Sequence, residues 1–440
     1  MDAKPVRRGP WWVVAQVLSS AGSAAVGAAG RVRAVRWPPL LVPLRTRNYR
    51  LLWAGVTVSW IGDNFQLVAL PVLILDLTHR PAIVGTVLMA EALPRAALMV
   101  GGGVLIDRAG ARRVMLLSST LAGGVAAAAA ALTAAGAIAI WHLYVFAAAL
   151  GAASALLMPA GNTLLPEVLP AAQVRSGNAL RSLAFQGARF VAPPLAGVAV
   201  ALAGPAAAFG VNAASFFVAV LLLRLVRLAA PRAAPRTASA LADLREGVRA
   251  LRRDAPTWVI FVIVVIWSLG YGGATLVGMP VLAKLALAGG DPGVGVLFGA
   301  LGAGALAGSI AVGAVPAVPR PGLAFSLGVI GSGIALSLAG AAPALWLAAA
   351  WLAVSGVLFG ICPIVGWTLV QTRAPAPVRG RIVALITLGI TGLQPLSLAL
   401  AGAAGEALGP RSLLVAGGAI AVVSGIYGLS QRALRDVEWT

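Results

Sequence analysis

The sequence predicts an all-α polytopic membrane protein whose twelve transmembrane helices form two six-helix bundles related as parallel copies. Three observations predict this class. Of the 440 residues, 60% are apolar and only 10% are charged, whereas a soluble domain carries about 25% charged residues. The apolar residues gather in twelve runs long enough to cross a hydrocarbon core, which takes about 20 helical residues. Motifs of the first six runs recur in order in the last six.

The twelve runs fall into two groups of six. In the first half they lie at about 51–75, 82–106, 114–135, 138–161, 178–203 and 205–226. In the second half they lie at about 258–284, 292–316, 322–342, 344–370, 382–404 and 411–431. Each run is continuously apolar, without the alternation of a transmembrane β-barrel. The runs therefore predict one bundle at 48–226 and another at 257–432, followed by a tail at 433–440.

A linker at 227–256 separates the two groups. Within it, Leu241, Leu244, Val248 and Leu251 recur at spacings of 3, 4 and 3 residues, which places them on one face of a helix. The neighbouring residues are rich in arginine, and a basic helix with one apolar face is typical of interfacial helices. We predict a cytoplasmic linker whose amphipathic helix lies on the membrane surface.

Residues 1–47 form a basic N-terminal arm. It contains an apolar stretch, Trp11–Gly30, flanked by Arg7, Arg8 and Arg31. Such a stretch fits a thirteenth span, a secretory signal or an interfacial helix. Because its Ala, Gly and Ser content makes it marginal for insertion, we favour an interfacial or loosely ordered arm.

The cations lie mostly on one side of the predicted membrane. The chain has 33 Lys and Arg residues against 13 Asp and Glu residues, a net charge of +20. With a cytoplasmic N-terminus, 28 of the 33 fall in cytoplasmic segments and three, Arg80, Lys284 and Arg411, in outer loops. The positive-inside rule thus predicts a multi-pass membrane protein with both termini inside. We expect it in the cytoplasmic membrane of a bacterial cell. The anionic inner leaflet explains the excess charge, so we expect a lipid bilayer and no nucleic acid as partner.

Residue usage argues against several kinds of site. Cys362 is the only cysteine, and His79 and His142 are the only histidines, so neither a disulfide nor a metal site is expected. Lys4 and Lys284 are the only lysines, and neither stands in the Gly-Lys-Ser/Thr context of a nucleotide-binding loop. We expect no metal, no cofactor, no nucleotide site and no enzyme activity, and we expect a monomer.

The two halves share an internal repeat. LPVL at 70–73 recurs as MPVL at 279–282, and GNTLLP at 161 recurs as GWTLVQ at 366. Matches at offsets of 204 to 210 residues continue in order through the first, second, fourth and fifth runs of each half. Parallel repeats of this kind build several transporter folds. The chain is therefore predicted to contain two copies of one six-helix unit.

A charged loop follows the second run. It reads GVLIDRAGARR, and its motif residues are Gly103, Asp107, Arg108, Gly110, Arg112 and Arg113. This loop resembles the GxxxDRxGRRx signature of the major facilitator superfamily. The stretches RNYRLLW, SWIGDN, LPEVLPAAQVRSGNAL and QTRAPAPVRGR are similar to the macrolide-efflux and enterobactin-exporter-like branch of drug:proton antiporters. The resemblance implies a twelve-helix rocker-switch carrier that exports small molecules, driven by a proton gradient.

The charged loop is also a candidate gate. An acid at the end of the second helix can accept hydrogen bonds from the exposed N–H groups of a facing helix start. The arginines can reach carboxylates or lipid phosphates. We expect the loop to latch the two halves together in one conformational state.

Two acids, Asp63 and Glu91, fall near the middle of predicted spans, where a charge costs about 2.5–3.5 kcal/mol on insertion scales. Arg95 lies one helical turn from Glu91, and Arg189 lies at a similar depth in the fifth run. The polar stripes around these charges include Gln66 and Gln186. Two interpretations stay open. The charges couple proton flow to transport and contact substrate, or they form a static ion-pair network; we favour coupling for Asp63 and a structural role for both arginines.

The second half has no mid-span acid. Tyr271 stands about where Asp63 stands in the first copy, and Gln394 about where Arg189 stands. The candidate cavity walls are Trp60, Trp267, Tyr271, Trp367 and Gln394, although packing or an interfacial belt is the commoner role of tryptophan in membranes. We expect the first half to handle protons and the second to supply aromatic surface and neutral hydrogen bonds.

These observations favour a secondary active transporter of the cell membrane. The expected activity is export of a drug, natural product or siderophore-like small molecule by alternating access with proton antiport, as in multidrug resistance. An importer or proton symporter of a small metabolite on the same fold is the alternative. A membrane-embedded enzyme or sensor is a remote one.

Overall fold

The structure is a computed structural model that describes residues 38–228, 240–314 and 319–438. The predicted arm helix at Trp11–Gly30 lies outside these residues. The described part of the chain is helical and contains no strand. A 3-10 turn, Val42–Arg45, precedes the first long helix. The helices of the first half are α1 (Arg47–Thr78), α2 (Pro81–Ala109), α3 (Ala111–Ala134), α4 (Ile140–Ser154), α5 (Leu157–Val168) and α6 (Ala171–Arg224).

The second half begins after a linker helix, α7 (Ala240–Arg253). Its helices are α8 (Ala255–Gly273), α9 (Gly290–Ala314), α10 (Pro321–Ala341), α11 (Leu345–Arg373), α12 (Ala376–Leu408), α13 (Pro410–Ser430) and the short α14 (Arg432–Arg435). After Gly273, α8 continues through two π-helical stretches, Ala274–Gly278 and Leu282–Ala286.

The helices account for the twelve predicted crossings. Eleven helical segments of the described chain are long and apolar enough to span a membrane. The longest, α6, has 54 residues and breaks at Gly204, whose φ of 74° and ψ of 171° are not helical. A side chain would oppose this backbone conformation, and Pro205 restarts the helix. Because α6 contains the fifth and sixth predicted runs, the eleven segments make twelve crossings.

Small residues set the distances between helices within each half. A Cβ atom added to Gly304 of α9 would lie 2.0 Å from the carbonyl oxygen of Ala353 in α11, and one added to Gly308 would lie 2.0 Å from that of Val357. Larger side chains would push the two helices apart. Helix pairs in lipid gain their stability from such close backbone packing, since lipid tails compete for apolar contacts.

The two halves meet closely at one end of the bundle. We call the end where α1 begins the arginine-rich end, and the end where α1 finishes the far end. Near the far end, a Cβ on Gly85 of α2 would lie 2.7 Å from the Cα of Gly402 in α12, and a Cβ on Gly295 of α9 would lie 2.9 Å from the Cα of Gly197 in α6. Two helix pairs therefore bring the halves into backbone contact there.

Ion pairs join the halves at the same far end. Lys284 binds Asp76 of α1 and also Asp291, whose carboxylate lies 2.6 Å from the lysine Nζ. Arg80, before α2, lies 2.8 Å from Glu406 of α12. The sequence placed Arg80 and Lys284 in outer loops, and the structure pairs each of them with an acid of the other half. The far end is thus closed by glycine contacts and by ion pairs.

The halves separate toward the arginine-rich end. Gly103 of α2 and Gly380 of α12 lie beyond the Gly85–Gly402 contact, and a Cβ added to either would meet no heavy atom within 4 Å. The same holds for Gly187 of α6, which lies beyond the contact of that helix with α9. The contact of α6 with α9 continues as far as Arg189, whose carbonyl oxygen would lie 2.7 Å from a Cβ added to Gly302. The space between the halves therefore opens only beyond this level, toward the arginine-rich end.

The linker helix differs from its prediction. We expected its apolar face to rest on the membrane surface. In the structure Leu251 is buried in the core of the second half, Gly247 packs on Leu385 of α12, and Glu246 lies 2.7 Å from Arg381. The physical reason is that α12 begins at Ala376, before the predicted start, and its extra turns offer α7 a protein surface.

Replacing Lys284 with Met should loosen the far end. The change leaves Asp76 and Asp291 without their cation, and each partly exposed pair contributes up to about 1 kcal/mol. We expect a several-fold larger population of molecules with separated far ends. Spin labels at Leu77 and Leu408, one in each half and both exposed, would report this in double electron–electron resonance as longer distances.

The matched control is Arg411→Met, which removes a cation from the same face. Arg411 donates only to the carbonyl oxygens of Ala341 and Ala342 in its own half. The two variants should therefore differ, and identical distance distributions would show that the Lys284 pairs do not hold the far end.

The free energy of unfolding should depend on pH through Asp254, the residue that precedes α8. Burial acts to raise the pKa of Asp254, but hydrogen bonds from Arg373 and Thr257 outweigh it and hold the pKa below its ordinary value. The charged carboxylate therefore stabilises the fold above the ordinary pKa, and the contribution is lost as pH falls through the lowered one. Asp254→Asn should cost about 1–2 kcal/mol in thermal unfolding at pH 7 and almost nothing in acid. Asp436→Asn, in a pair with Arg435 that is half exposed, should be near neutral at both.

Candidate functional site

A cavity of about 360 Å³ lies between the halves. Its walls come from α1 and α6 of the first half and from α8 to α12 of the second. The polar lining residues are Asn64, Gln186, Arg189, Ser268, Tyr271, Thr275 and Gln394. Ile260, Val370 and Ile386 extend the lining toward the arginine-rich end. The cavity therefore occupies the space that opens where the halves diverge, and its volume is at the lower end of the range of about 300–1,000 Å³ for small-molecule sites.

Three aromatic rings form one wall. Trp267, Tyr271 and Phe359, which we call the aromatic cluster, have ring centroids 5.0 to 5.6 Å apart. Tyr271 stacks on Phe359, and its hydroxyl lies 3.1 Å from Ser355 Oγ. Ser355 in turn donates to the carbonyl oxygen of Ser332 at 3.0 Å. The hydroxyl chain fixes the phenol, so the cluster presents a rigid apolar surface.

One buried donor in this wall has no acceptor. The indole Nε1 of Trp267 makes no hydrogen bond to any part of the chain that the structure describes, although the side chain is only 5% exposed. A buried N–H without an acceptor costs about 1–3 kcal/mol. The aromatic wall therefore tolerates an unpaired donor behind its cavity-facing surface.

The π-helical stretches follow the part of α8 that carries Trp267 and Tyr271. They flank Pro280, and Thr275 of the first stretch lines the cavity while its Oγ1 donates to the carbonyl oxygen of Tyr271 at 2.8 Å. Ser397 of α12 accepts from the amide of Gly273 at 2.8 Å. This irregular turn was not predicted from the sequence. The signal that could have indicated it is Pro280, inside a run that also holds Gly272, Gly273 and Gly278. Such π turns often lie at functional sites.

Arg189 is the only charged residue among the described lining residues of the cavity. Its side chain is exposed, and no carboxylate of the described chain pairs with it. The guanidinium lies 5.7 Å from the ring centroid of Phe185, and the phenol of Tyr271 is the ionisable group in electrostatic range. Arg189 thus makes no ion pair within the described chain, and the structural role favoured for it stays a prediction. The residue faces open space between the halves, because α6 turns its polar stripe toward the cavity.

The two mid-span acids lie outside the cavity lining. Glu91 forms an ion pair with Arg95 one turn along α2, and Asp63 of α1 lies within electrostatic range of both. A Cβ added to Gly151 of α4 would lie 2.0 Å from the backbone oxygen of Glu91, so α4 holds this turn of α2 in place. We call Asp63, Glu91 and Arg95 the acid cluster. The structure thus brings three of the four predicted charges together and separates Arg189 from them.

The other predicted site residues divide in the same way. Trp267, Tyr271, Trp367, Gln394 and Gln186 line the cavity together. Gln66 instead accepts a hydrogen bond of 2.7 Å from Asn212, and Trp60 packs on Phe185 with ring centroids 5.1 Å apart. Gln66 and Trp60 therefore serve the contact of α1 with α6. Asn64, Thr275 and Phe359 line the cavity and were not predicted.

The charged loop makes no latch between the halves in this conformation. Asp107, Arg108 and Arg113 are exposed, and Arg112 donates to the carbonyl oxygens of Leu223 and Arg224 at the end of α6, within the first half. The latch we expected needs the halves to meet at the arginine-rich end, where they are apart. The remaining motif glycine, Gly110, has a φ of 84° and forms the sharp turn between α2 and α3.

Comparison with known proteins gives consistent matches. A family profile described as transmembrane secretion effector, MFS_3, matches residues 39–439. An uncharacterised MFS-type transporter of Bacillus subtilis, YfiS, is 26% identical over 397 residues, which cover 88% of this chain and 93% of that protein.

Three solved structures share the fold. A bacterial homologue of the lysosomal transporter Spinster, inward-facing and unoccupied, superposes with a TM-score of 0.70 at 13% identity and covers 90% of this chain and 99% of its own. A POT family transporter in complex with 5-aminolevulinic acid gives 0.70 at 11% identity, over 88% and 96%. The nucleoside transporter NupG gives 0.67 at 13%, over 87% and 98%. The predicted twelve-helix fold is confirmed.

The acid cluster should show coupling in a double-mutant cycle. Arg95→Gln leaves both Glu91 and Asp63 without a cation, whereas Glu91→Gln leaves Arg95 with Asp63 in range. We expect thermal unfolding in detergent to show a larger loss for Arg95→Gln than for Glu91→Gln. The double variant should recover part of that loss, with a coupling energy of about 1–3 kcal/mol. Strictly additive effects would mean that the pair adds no stability.

Proposed function

The chain belongs to the transmembrane secretion effector family of the major facilitator superfamily, and from that premise we propose that it exports a small molecule from a bacterial cell by alternating access, in exchange for protons. The observation that carries the proposal is the separation of two sites. One is a cavity between the halves that holds Arg189 and the aromatic cluster, and the other is the acid cluster within the first half. Separate sites allow cargo and protons to bind in different conformational states.

The orientation follows from charge. The positive-inside rule places the arginine-rich end in the cytoplasm. The cavity then opens to the cytoplasm, and the far end, closed by the Lys284 and Arg80 ion pairs, faces outside. Cargo enters from the cell interior in this conformation, as export requires.

Alternating access needs contacts that can be broken and remade. The ion pairs at the far end are partly exposed, so water replaces them at a cost of about 1 kcal/mol or less each. The charged loop with Asp107 and Arg108 is free of contacts to the second half among the described residues and becomes the latch when the arginine-rich end closes. The free energy gained when the latch forms offsets the free energy lost when the far-end ion pairs break.

The acid cluster supplies a mechanism for coupling. With Glu91 deprotonated, Arg95 pairs with it, which is the arrangement of the present conformation. A proton on Glu91 removes its charge, and the guanidinium of Arg95 then interacts with the carboxylate of Asp63 instead. Because α2 carries Gly85 at the contact between halves, a change in the Arg95 pairing reaches the far end through one helix. In this mechanism the proton binds from outside and leaves to the cytoplasm, with no nucleotide or other cofactor.

Transport into inverted membrane vesicles tests the proposal. A mass-spectrometric panel of anionic, zwitterionic, neutral and cationic drug-like compounds is offered to vesicles made acidic inside. We expect accumulation of part of the panel, its loss when nigericin collapses the pH gradient, and at least a tenfold lower rate in Asp63→Asn and Glu91→Gln. Glu167→Gln, an exposed acid of the same half, is the matched control and should keep the wild-type rate.

The direction of the gradient response decides between the candidate functions. Antiport accumulates cargo in vesicles that are acidic inside, and symport expels it. Expulsion would identify the importer or symporter alternative. Full gradient-driven uptake by both acid variants would contradict the role of the acid cluster.

A further inference from the structure

The described walls of the cavity carry one charge and no counter-charge. Arg189 is exposed there, and the lining residues include no aspartate or glutamate. Asp63 and Glu91 are held in the acid cluster with Arg95, outside the lining. A cation in the middle of a membrane needs an anion or water beside it. Within the chain that the structure describes, no acid supplies that anion.

The hydrogen-bond donors of Arg189 also lack acceptors in the cavity lining. The guanidinium has five N–H groups in a planar fork that matches carboxylate, sulfonate and phosphate oxygens. Its cation–π contact with Phe185 occupies none of these donors in a hydrogen bond. Gln186 and Gln394 add amide groups to the same lining. This set lacks a partner rich in acceptor oxygens.

The rest of the lining is apolar. Besides the aromatic cluster it includes Phe298, Phe325 and Trp367. The cavity of about 360 Å³ therefore suits a compact molecule with an aromatic or aliphatic body. A cationic cargo would meet the like charge of Arg189, and a purely apolar one would leave the guanidinium without a partner.

We propose that the cavity binds an amphiphilic organic anion, with a carboxylate, sulfonate or phosphate group on Arg189 and an apolar body against the aromatic cluster. The inference rests on the proposed function, because it names the class of cargo for the same transporter. The shared chemistry includes two sources, a soluble organic anion and an anionic lipid, and the test separates them.

Equilibrium binding to the purified full-length protein tests the inference without any gradient. The protein is held in nanodiscs of phosphatidylcholine, which has no net charge. The probes are benzene-, naphthalene- and biphenyl-sulfonate, each with its neutral sulfonamide and with the corresponding arylmethylammonium, and binding is measured by the shift of the unfolding temperature. We expect at least one sulfonate to bind at least tenfold more tightly than its sulfonamide and its ammonium counterpart.

Variants assign the preference to the cavity. Arg189→Gln should abolish the preference for the sulfonate, and Arg189→Lys should retain part of it, since lysine keeps the charge without the fork. Trp267→Ala should weaken sulfonate binding several-fold, because it removes part of the aromatic cluster against which the apolar body packs. Arg175→Gln, an exposed arginine on the same helix outside the cavity, is the matched control and should bind as wild type.

The outcomes are distinct. If no sulfonate binds better than its neutral partner, or if Arg189→Gln keeps the preference, the inference is wrong. A sulfonate preference that disappears when phosphatidylglycerol replaces phosphatidylcholine supports the anion site and identifies the lipid as its occupant. Binding with the expected preference in a protein that shows no gradient-driven transport would sink the proposed function and leave the anion site standing.

Discussion

The cost of a charge in hydrocarbon is the constraint on which this molecule depends. A lone ionised group at the bilayer centre is unfavourable by several kcal/mol in most treatments, about 2.5–3.5 on insertion scales. The described chain meets that cost in two ways. Glu91 and Arg95 pair within one helix, with Asp63 in range, so these three groups offset one another. Arg189 is instead placed beside an open cavity where water or a bound molecule can solvate it.

The same constraint determines how the halves can move. Backbone contact through Gly85 and Gly402 needs no polar partner and can separate without leaving a buried charge. The ion pairs of Lys284 and Arg80 lie at the end of the bundle, where water solvates both partners after separation. Charged contacts that must break are thus at the surface, and contacts within the membrane are apolar. This arrangement keeps the energy difference between two conformations small, as alternating access requires.

Much of the fold could be predicted from the sequence because the membrane imposes a length on each helix. The apolar runs gave the twelve crossings, including the break at Gly204 inside one continuous helix. The length of a helix does not, however, determine which of its faces packs against which neighbouring helix. Trp267, Tyr271, Trp367 and Gln394 were predicted as cavity walls and line the cavity. Asp63 was favoured for proton coupling or substrate contact, and it does not line the cavity, because the rotation of α1 is set by its packing on α6.

Two features could not be predicted from the sequence, each for its own physical reason. The π-helical turns after Gly273 rotate the following residues relative to an α-helix, so spacing rules for regular helices fail there. Arg189 was assigned to an ion-pair network because its depth matched that of the acids. Depth can be counted along a helix, whereas lateral distance depends on how seven helices surround the cavity. Only the assembled bundle shows that no acid among the residues the structure describes pairs with Arg189.

The two halves are copies of one repeat, but they contribute different kinds of side chain to the cavity. Arg189 and Gln394 stand at about equivalent positions of the repeat and both line the cavity, but only the first carries charge. The aromatic cluster belongs wholly to the second half. A molecule with a polar group and an apolar body would therefore be held by charge on one half and by stacking on the other. In the proposed alternating access the halves move relative to each other, and that motion would weaken one of these contacts. Such a cavity can release its cargo through the motion itself, without a separate trigger at the binding site.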